Sequence, residues 1–335
     1  MIRNMDAAMP WLESALDSAT AESVLRDAVS LEGVVAASLT VQSVRLMRRK
    51  PGRRAVLEYV VEAEVQGTRE RFALVGKIRA KGLDNETVRV VSDLRAAGFH
   101  DASPDRISVP EIAGIVPGWR MWLSRKAEGR SASECLRQHD AQQLASRIPA
   151  VTRKLHRSGV SSPRQHSLNE ELAVLDSALA KAIEIRPDLI SRIEEVGSGC
   201  HAVASSLPSA SPGPIHRDFY ADQVIVSGDR LYVIDLDLFS CGDPELDIGN
   251  FVAHVTEQAL RVDGYRRSMD AVRRAIYDSA VATGASREAI LAYELLSLAR
   301  HIWISVRIPE RRHLTEAVLA ECERRLARSA LEVEI

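Results

Sequence analysis

Three segments rich in β-branched residues follow one another between residues 38 and 80, and they constrain the fold more than any other feature of the sequence. They read "SLTVQSVRLM", "RAVLEYVVEAEVQG" and "RERFALVGKIRA", and the turn-prone stretches "RRKPGRR" and "QGTRER" separate them. Short polar connections join antiparallel strands, because a parallel pair needs a long crossover between its strands. The sequence therefore predicts three consecutive antiparallel strands.

The segments around these strands complete a first, sheet-rich region. Helical periodicity over residues 9–30 predicts an opening helix or two, and a further helix is predicted at 84–97, closed by Gly98. The stretch "ISVPEIAGIVPGWRMWLSRKAEG" then indicates two more strands joined by a Pro-Gly turn. Five strands and the helix at 84–97 are expected in this sheet-rich region, which follows the opening helices.

The remainder of the chain changes character and is mostly helical in pattern. Helical spacing recurs in "SASECLRQ", "DAQQLASRIPAVTRKLHRSG" and "SLNEELAVLDSALAKAIEI", and again over most of 244–330. We therefore predict an α+β chain with a small antiparallel-sheet lobe and a larger helical lobe. The predicted boundaries are a helical extension at 1–37, the sheet lobe at 38–127 and the helical lobe at 128–335.

Composition excludes several classes of function. A formal net charge of -2 and a pI near 6.5 argue against a nucleic-acid binder that works through bulk positive charge. The four cysteines are far apart and are expected to be buried thiols in a reducing compartment. With no signal peptide and no long apolar span evident, we expect a cytoplasmic protein without nucleic-acid or membrane partners.

The stretch "PIHRDFYADQVIVSGDRLYVIDLDLF", residues 214–239, places acids at both ends of a predicted hairpin. Pairing 223–226 with 231–234 around Gly228 would bring the loop before the hairpin close to its last residues. Clustered carboxylates repel unless a cation, a proton or an arginine compensates them. A magnesium site is one interpretation, and aspartates that cap helices or pair with arginine are the other.

Neighbouring residues in this region have structural interpretations. Asp243 followed by Pro244 predicts the N-cap and first turn of a helix. Asp247 is expected to orient the adjacent loop, and His216 is expected to hold that loop rather than bind metal.

The motifs "HRDFYADQ", "VIDLD" and "GDPELDIGN" resemble those of the aminoglycoside phosphotransferase-like kinases. The resemblance is specific over 216–250 and rests elsewhere on the order of elements. It implies the protein-kinase-like bilobal fold, ATP and Mg²⁺ as cofactors, and a small-molecule hydroxyl as the phosphoryl acceptor.

The resemblance also implies roles for individual residues. Asp218 would be the catalytic base, and Asp235 would be the principal magnesium ligand. Gln223 stands where the family usually has asparagine, the second metal ligand, and its extra methylene would either displace the coordinating oxygen or make the coordination water-mediated. Arg217 makes the loop HRD where the family more often has glycine, and Asp237 has no settled counterpart.

Lys77 is one of six lysines among 44 basic residues, and it lies inside the apolar third strand. A buried ammonium is costly without an anionic partner. In the kinase-like fold that anion is the nucleotide α/β-phosphate, with a helix-borne acid beside the lysine; Glu86 is the candidate and Asp93 the alternative. A lysine whose head reaches solvent from an edge strand is the competing interpretation.

The loop "RRKPGRR" between the first two strands would cover the nucleotide phosphates. It lacks the glycine signature of protein kinases, yet Gly52 and Arg53 could supply a backbone N–H and positive charge to a triphosphate. A basic hairpin tip without a ligand would look similar.

Together these features predict an ATP- and Mg²⁺-dependent small-molecule kinase. A pseudokinase-like module that binds nucleotide without transfer is the alternative, and Gln223 is its main motive. A metal-dependent phosphoesterase built on His216, Asp218 and Asp235 would leave Lys77 and the sheet-rich lobe unexplained.

Overall fold

The computed structural model describes residues 6–138, 141–261 and 266–333. Its backbone divides into two compact units. Unit 1 takes in the chain up to Gly129 together with Ser227–Leu236, and unit 2 takes in Arg130–Val226 and the chain from Asp237 onward. Unit 1 is therefore built from two separate stretches of sequence.

The secondary-structure elements are as follows. The strands are β1 (Val34–Lys50), β2 (Arg54–Val65), β3 (Thr68–Arg79), β4 (Ile107–Ser108), β5 (Ile112–Val116), β6 (Met121–Arg125), β7 (Arg130–Ser131), β8 (Gln165–His166), β9 (Gly213–Ile215), β10 (Val224–Ser227), β11 (Arg230–Val233) and β12 (Ser240–Gly242). The α-helices are α1 (Leu12–Leu16), α2 (Ser18–Ala28), α3 (Asn85–Ala96), α4 (Ala132–Cys135), α5 (Ala141–His156), α6 (Leu168–Ile185), α7 (Ile190–Ser205), α8 (Glu245–Arg261), α9 (Arg266–Ala282), α10 (Arg287–Arg307) and α11 (Thr315–Val333).

An antiparallel sheet with the strand order β1-β2-β3-β6-β5 forms the centre of unit 1. The three predicted opening strands and the two later ones are confirmed, although β1 already begins at Val34. Because β3 pairs with β2 on one side and with β6 on the other, it is an interior strand. The interpretation of Lys77 as an edge-strand lysine is therefore wrong.

Helices α1 and α2 contribute to the same core as this sheet. Tyr59 of β2 is fully buried, and its hydroxyl donates a hydrogen bond to the carbonyl of Ala15 at 3.0 Å. A buried phenol needs such a partner, so this bond fixes the first helix against the sheet.

The second stretch of unit 1 joins the first through β11, which pairs in parallel with β4. Arg230 of β11 is buried and donates to Ser108 Oγ at 2.6 Å and to Ser103 Oγ at 3.0 Å. The turn before β11 contains Gly228 at φ +58, a left-handed conformation that suits glycine. The tight turn predicted there is confirmed, and each flanking strand lies one residue closer to the turn than predicted.

Unit 2 is helical apart from short strands, among them β12, which pairs with β8 and β9. The helix α7 was not predicted individually. Cys200 and Cys322 are buried as predicted, whereas Cys135 and Cys241 are only half-buried. Burial raises the pKa of the Cys200 thiol to about 12, which makes that thiol inert.

Helices α8 and α10 approach each other closely at Gly249. A Cβ at this position would lie 2.5 Å from Cβ of Tyr293 and 2.8 Å from the backbone nitrogen of Glu294. Only glycine allows this approach, and it fixes α8 against the centre of unit 2.

One helix in the described part of the chain, α10, is long and apolar enough to cross a membrane, which the sequence analysis did not anticipate. Of its most apolar window, 78% is buried inside the structure, as in the core helix of a folded domain.

Candidate active site

Lys77 and Asp235 form an ion pair within unit 1. The Lys77 Nζ lies 2.7 Å from Asp235 Oδ1 and 5.3 Å from the ring centroid of Trp122, the residue opposite Lys77 on β6. The two charged side chains are 19% and 31% exposed, so water reaches the pair without surrounding it. The structure thus brings together two residues that were predicted to bind the nucleotide and the metal.

Asp235 lies two residues after the end of β11 and has a left-handed backbone with φ +60. Such a conformation is unfavourable for a residue with a Cβ, and in folded proteins it occurs frequently at functional sites. The strand end and this bend together direct the Asp235 carboxylate to the ammonium of Lys77.

The two acids considered as helix-borne partners of Lys77 both contact Arg89 of the same helix, α3. Glu86 lies 2.7 Å and Asp93 lies 2.5 Å from the guanidinium of Arg89. The hydrogen bond that Arg89 donates to Glu86 raises the pKa of Arg89, although partial burial opposes the shift. The assignment of Glu86 to the nucleotide site stays a prediction.

The turn between β1 and β2 already holds an anion supplied by the chain itself. Gly52, at φ +68, donates its backbone N–H to the Asp6 carboxylate at 3.0 Å, and the Arg49 guanidinium contacts the same carboxylate at 3.2 Å. The Gly52 N–H lowers the pKa of Asp6 most, with burial opposing it. This turn can therefore bind a negatively charged oxygen, as a phosphate-covering loop must.

Arg53 closes the same turn through its backbone. Its N–H donates to the carbonyl of Lys50 at 3.0 Å, and its own carbonyl accepts from the N–H of Ala80 at 2.9 Å. The exposed guanidinium of Arg53 leaves its predicted role toward the phosphates a prediction.

The loop His216–Gln223, hereafter the HRD loop, belongs to unit 2 and carries two more of the predicted site residues. Asp218 is half-buried in the middle of the loop, and Arg217 has a left-handed backbone with φ +70. Gln223 is only 5% exposed, and its N–H donates to the carbonyl of Tyr220 at 2.9 Å, which closes a short 3₁₀ turn.

Helix α8 fixes the HRD loop through two fully buried side chains. The Asp247 carboxylate accepts the backbone N–H groups of His216 and Arg217, both at 2.8 Å. Asn250, one turn later, donates to the carbonyl of Phe219 at 2.9 Å and accepts from Arg300 at 2.9 Å. The prediction that Asp247 orients the loop is confirmed.

Asn250 and Arg300 were not recognised as part of this support. The sequence signal was present, because a polar residue three positions after Asp247 lies on the same face of a helix. Arg300 comes from a distant helix, and only the tertiary structure pairs it with Asn250.

The start of α8 is held as predicted. The Asp243 carboxylate accepts the N–H of Glu245 at 3.0 Å, an N-cap bond, and also accepts the hydroxyl of Tyr293 at 3.0 Å. Burial raises the pKa of Asp243 to about 6.

A stack of aromatic rings lies on the α8 side of the HRD loop. The rings of Tyr220 and His254 are 4.5 Å apart and nearly parallel, and His301 meets His254 edge-on at 4.5 Å. Burial lowers the pKa of His301 to about 4, so this imidazole is neutral at pH 7. The loop is thus supported on one side by neutral rings and by the Asp247 carboxylate.

The sequence also matches the model of a known protein family. The model of the phosphotransferase enzyme (APH) family matches residues 88–282, more than half of the chain, including the HRD loop and Asp247. The chain belongs to this phosphotransferase enzyme family. It is therefore an enzyme, a small-molecule kinase, as predicted.

Solved structures show the same fold over nearly the whole phosphotransferase. A glucosamine kinase in complex with glucosamine, ADP and inorganic phosphate is 14% identical, with a TM-score of 0.61 over 95% of this chain and 87% of that chain. A choline/ethanolamine kinase family protein from Mesorhizobium loti is 15% identical, with a TM-score of 0.57 over 91% and 93%. A spectinomycin phosphotransferase in complex with ADP and spectinomycin is 10% identical, with a TM-score of 0.58 over 91% and 94%.

These likenesses establish the protein-kinase-like fold that the sequence predicted, with an antiparallel-sheet lobe and a helical lobe. A search of curated protein sequences gives no match.

Proposed function

We propose that this phosphotransferase moves the γ-phosphoryl group of ATP to a hydroxyl group of a small cytoplasmic molecule and requires Mg²⁺. The observation that carries the proposal is the Lys77–Asp235 ion pair at 2.7 Å on an interior strand of unit 1. A phosphate-binding lysine and a metal-binding carboxylate need to be neighbours, since both act on the same nucleotide phosphates.

The donor atoms of the assigned residues are of the kind that a magnesium ion prefers. Asp235 would supply carboxylate oxygens from a partly exposed side chain, and Gln223 would supply an amide oxygen. Mg²⁺, when bound, would neutralise charge that develops on the transferred phosphoryl group. The two protein ligands we assign to it are Asp235 and Gln223.

Residues of the chain perform the remaining steps. Lys77 would hold the α/β-phosphates, and Gly52 and Arg53 would supply a backbone N–H and positive charge from the β1–β2 turn, which already binds the Asp6 carboxylate. Glu86 would steady Lys77. Asp218 would orient the acceptor hydroxyl and take its proton, and Asp247 would keep the HRD loop in position for this.

The acceptor class stays broad. Related structures contain spectinomycin, hygromycin B and glucosamine. Residues 261–335 contain slightly more arginine than acid, whereas a polycationic aminoglycoside would favour a strongly acidic pocket. Sugars, amino alcohols and other hydroxyl compounds are the acceptors we would test first.

A transfer assay tests the proposal. Purified protein is given ATP and Mg²⁺ with a library of hydroxyl compounds, and phosphorylated product is measured by mass spectrometry. We expect a product that depends on both ATP and Mg²⁺, and we expect Asp218→Asn to lower its rate by about 10²–10⁴-fold while ATP affinity stays near that of the wild type. An Asp218→Asn variant that transfers at the wild-type rate would remove Asp218 from the proposed role.

A pseudokinase-like module is the second candidate, and buried Gln223 favours it. A glutamine reaches further than asparagine, and at 5% exposure Gln223 has little room to move. The substitution Gln223→Asn discriminates: a true kinase would keep or increase its transfer rate. Nucleotide binding without product in both proteins would support the module instead.

A further inference from the structure

A cavity of about 520 Å³ lies among helices α8, α9, α10 and α11 of unit 2. Its wall is strongly cationic. The arginines that line it are Arg273, Arg274, Arg287, Arg324, Arg325 and Arg328, and the acids are Asp270, Asp278 and Glu321. The volume falls in the range of small-molecule sites, roughly 300–1,000 Å³.

A buried glutamate beneath the cavity neutralises part of this positive charge and holds two of the arginines in place. Glu294 of α10 is fully buried, and it accepts two hydrogen bonds from Arg273 at 2.9 Å and contacts Arg325 at 2.6 Å. Burial acts to raise the pKa of Glu294, yet these arginines hold it at about 2. The charged glutamate therefore keeps two guanidinium groups at fixed positions in the wall.

Other arginines of the wall are not neutralised in this way. Arg274, Arg287 and Arg328 are exposed, and their side chains form no ion pair with any residue that the structure describes. They come from three different helices, α9, α10 and α11. Because these helices pack together, their three guanidinium groups line one cavity. The three positive charges repel one another unless an anion is bound.

The cavity is separate from the HRD loop. Successive residues of a helix are about 100° apart, so Asp247, Asn250 and His254 share one face of α8. These residues contact the loop, whereas the lining residues Thr256 and Ala259 lie on the opposite side of the helix. A ligand of the cavity would therefore bind away from the residues assigned to phosphoryl transfer.

We infer that this cavity is a second binding site, for a small organic phosphate. The planar guanidinium group binds phosphate oxygens through paired N–H donors, and several around one cavity can bind a doubly charged group. Asp270 and Asp278, also in the wall, would accept hydrogen bonds from hydroxyl groups of the same ligand. The expected ligand class is a hydroxylated phosphate monoester.

Thermal unfolding of the full chain tests the site without ATP or Mg²⁺. Glucose 6-phosphate, inorganic phosphate and glucose are titrated against sodium chloride of equal ionic strength. The test variant is Arg274→Gln/Arg328→Gln, which removes two exposed guanidinium groups that form no ion pair with described residues. The matched control is Arg137→Gln/Arg307→Gln, which removes two exposed arginines outside the cavity.

We expect glucose 6-phosphate to raise the unfolding temperature of the wild type and the control, and glucose to have no effect. In the test variant the half-saturating concentration should rise about tenfold or more, since two charge-assisted contacts are lost. Equal shifts in all three proteins, or a wild-type shift no larger than that of sodium chloride, would overturn the site. Phosphate that binds elsewhere on the chain would still bind to the test variant. The comparison therefore distinguishes such binding from binding in the cavity.

The outcome is independent of the proposed kinase activity. A phosphotransferase without the second site would still form product in the transfer assay, and a chain without transfer would still show the difference between the two arginine variants.

Discussion

Asp247 is the residue on which the geometry of the HRD loop most depends. It is fully buried, and its two oxygens accept two consecutive backbone N–H groups, those of His216 and Arg217. Each N–H has its own acceptor, since His216 donates to Oδ2 and Arg217 donates to Oδ1, and Arg217 itself has a left-handed backbone. The strain at Arg217 is thus offset by a charge-assisted interaction.

Replacing Asp247 should therefore destabilise the protein. Asp247→Ala leaves two buried N–H groups without an acceptor, and we expect the free energy of unfolding to fall by roughly 2–4 kcal/mol. Asp247→Asn retains one acceptor oxygen and should lose less. Urea unfolding measures both, with the exposed Asp278→Ala as a control; a loss in Asp247→Ala no larger than in this control would contradict the argument.

His301 predicts a pH dependence of stability. Its pKa is about 4 in the folded protein and about 6.5 when unfolded, so between these values the unfolded chain binds more protons. Its contribution to stability is full above about pH 6.5 and is lost as the pH falls toward 4. We expect His301→Asn to show a shallower fall of the unfolding free energy from pH 6.5 to 5.

The comparison of variant with wild type is essential in that measurement. Asp243, whose pKa of about 6 is raised, stabilises the protein in the opposite direction as the pH falls. The Asp243 contribution is common to both proteins and cancels in the difference. Parallel curves for wild type and His301→Asn would show that His301 does not titrate as described.

Among the secondary-structure elements, the contact between α8 and α10 determines where the HRD loop lies, because α8 provides the side chains that hold the loop. Gly249→Ala would place a Cβ against backbone atoms of α10, so the helices must separate. We expect a loss of about 1–3 kcal/mol in the free energy of unfolding, together with slower phosphoryl transfer, because Asp247 and Asn250 move with α8.

Gly197→Ala in α7 is the matched control. The new Cβ would meet only the tip of the Leu179 side chain at 3.2 Å, which can rotate away. Alanine is the better helix former by about 1 kcal/mol, so this change should be neutral or mildly stabilising. Equal effects of the two substitutions would mean that helix propensity, and not the α8–α10 approach, decides the result.

Most of the strands and helices could be predicted from the sequence, and one helix could not. The strands β1, β2 and β3 were predictable because their β-branched residues alternate and turn residues separate them, and α8–α11 because their apolar residues recur at helical spacing. Helix α7 was missed, since the Ser/Pro-rich stretch "SSLPSASPGP" that adjoins it, residues 205–214, is typical of a linker.

The candidate site also has features that the sequence identifies and features that only the fold creates. Asp218, Asp235 and Asp247 lie in motifs that are continuous in sequence, so they could be named in advance. The contact between Asp235 and Lys77 could not be predicted in this way, because the two residues are 158 positions apart in the sequence and meet only in the folded unit 1. The arginine cavity was invisible for the same reason, as its wall comes from separate helices.

For the whole molecule, nucleotide binding should stabilise the part of the chain that binds it. Lys77 and Asp235 both belong to unit 1, although one comes from each of its two stretches. ATP with Mg²⁺ at about 100 times the dissociation constant should add roughly 2.7 kcal/mol of stability. We expect hydrogen exchange to slow in unit 1, including Ser227–Leu236.

Asp235→Asn should weaken this protection, and Asp229→Asn, in the exposed turn of the same stretch, should not. Hydrogen–deuterium exchange with mass spectrometry resolves both regions. Protection that is unchanged in Asp235→Asn would separate Asp235 from the nucleotide.

The divided sequence of unit 1 also bears on the order in which the protein is made. When the ribosome has added Gly129, the growing chain still lacks Arg230 and β11. The hydroxyl groups of Ser103 and Ser108 are therefore without the buried arginine that donates to them in the folded protein. At about 5–20 residues per second, the intervening residues up to Leu236 take on the order of 5–20 s to synthesise. The first stretch of unit 1 must therefore persist through that interval without β11, although its five-stranded sheet is already complete. The ion pair between Lys77 and Asp235 can form only after this interval, because Asp235 is made last.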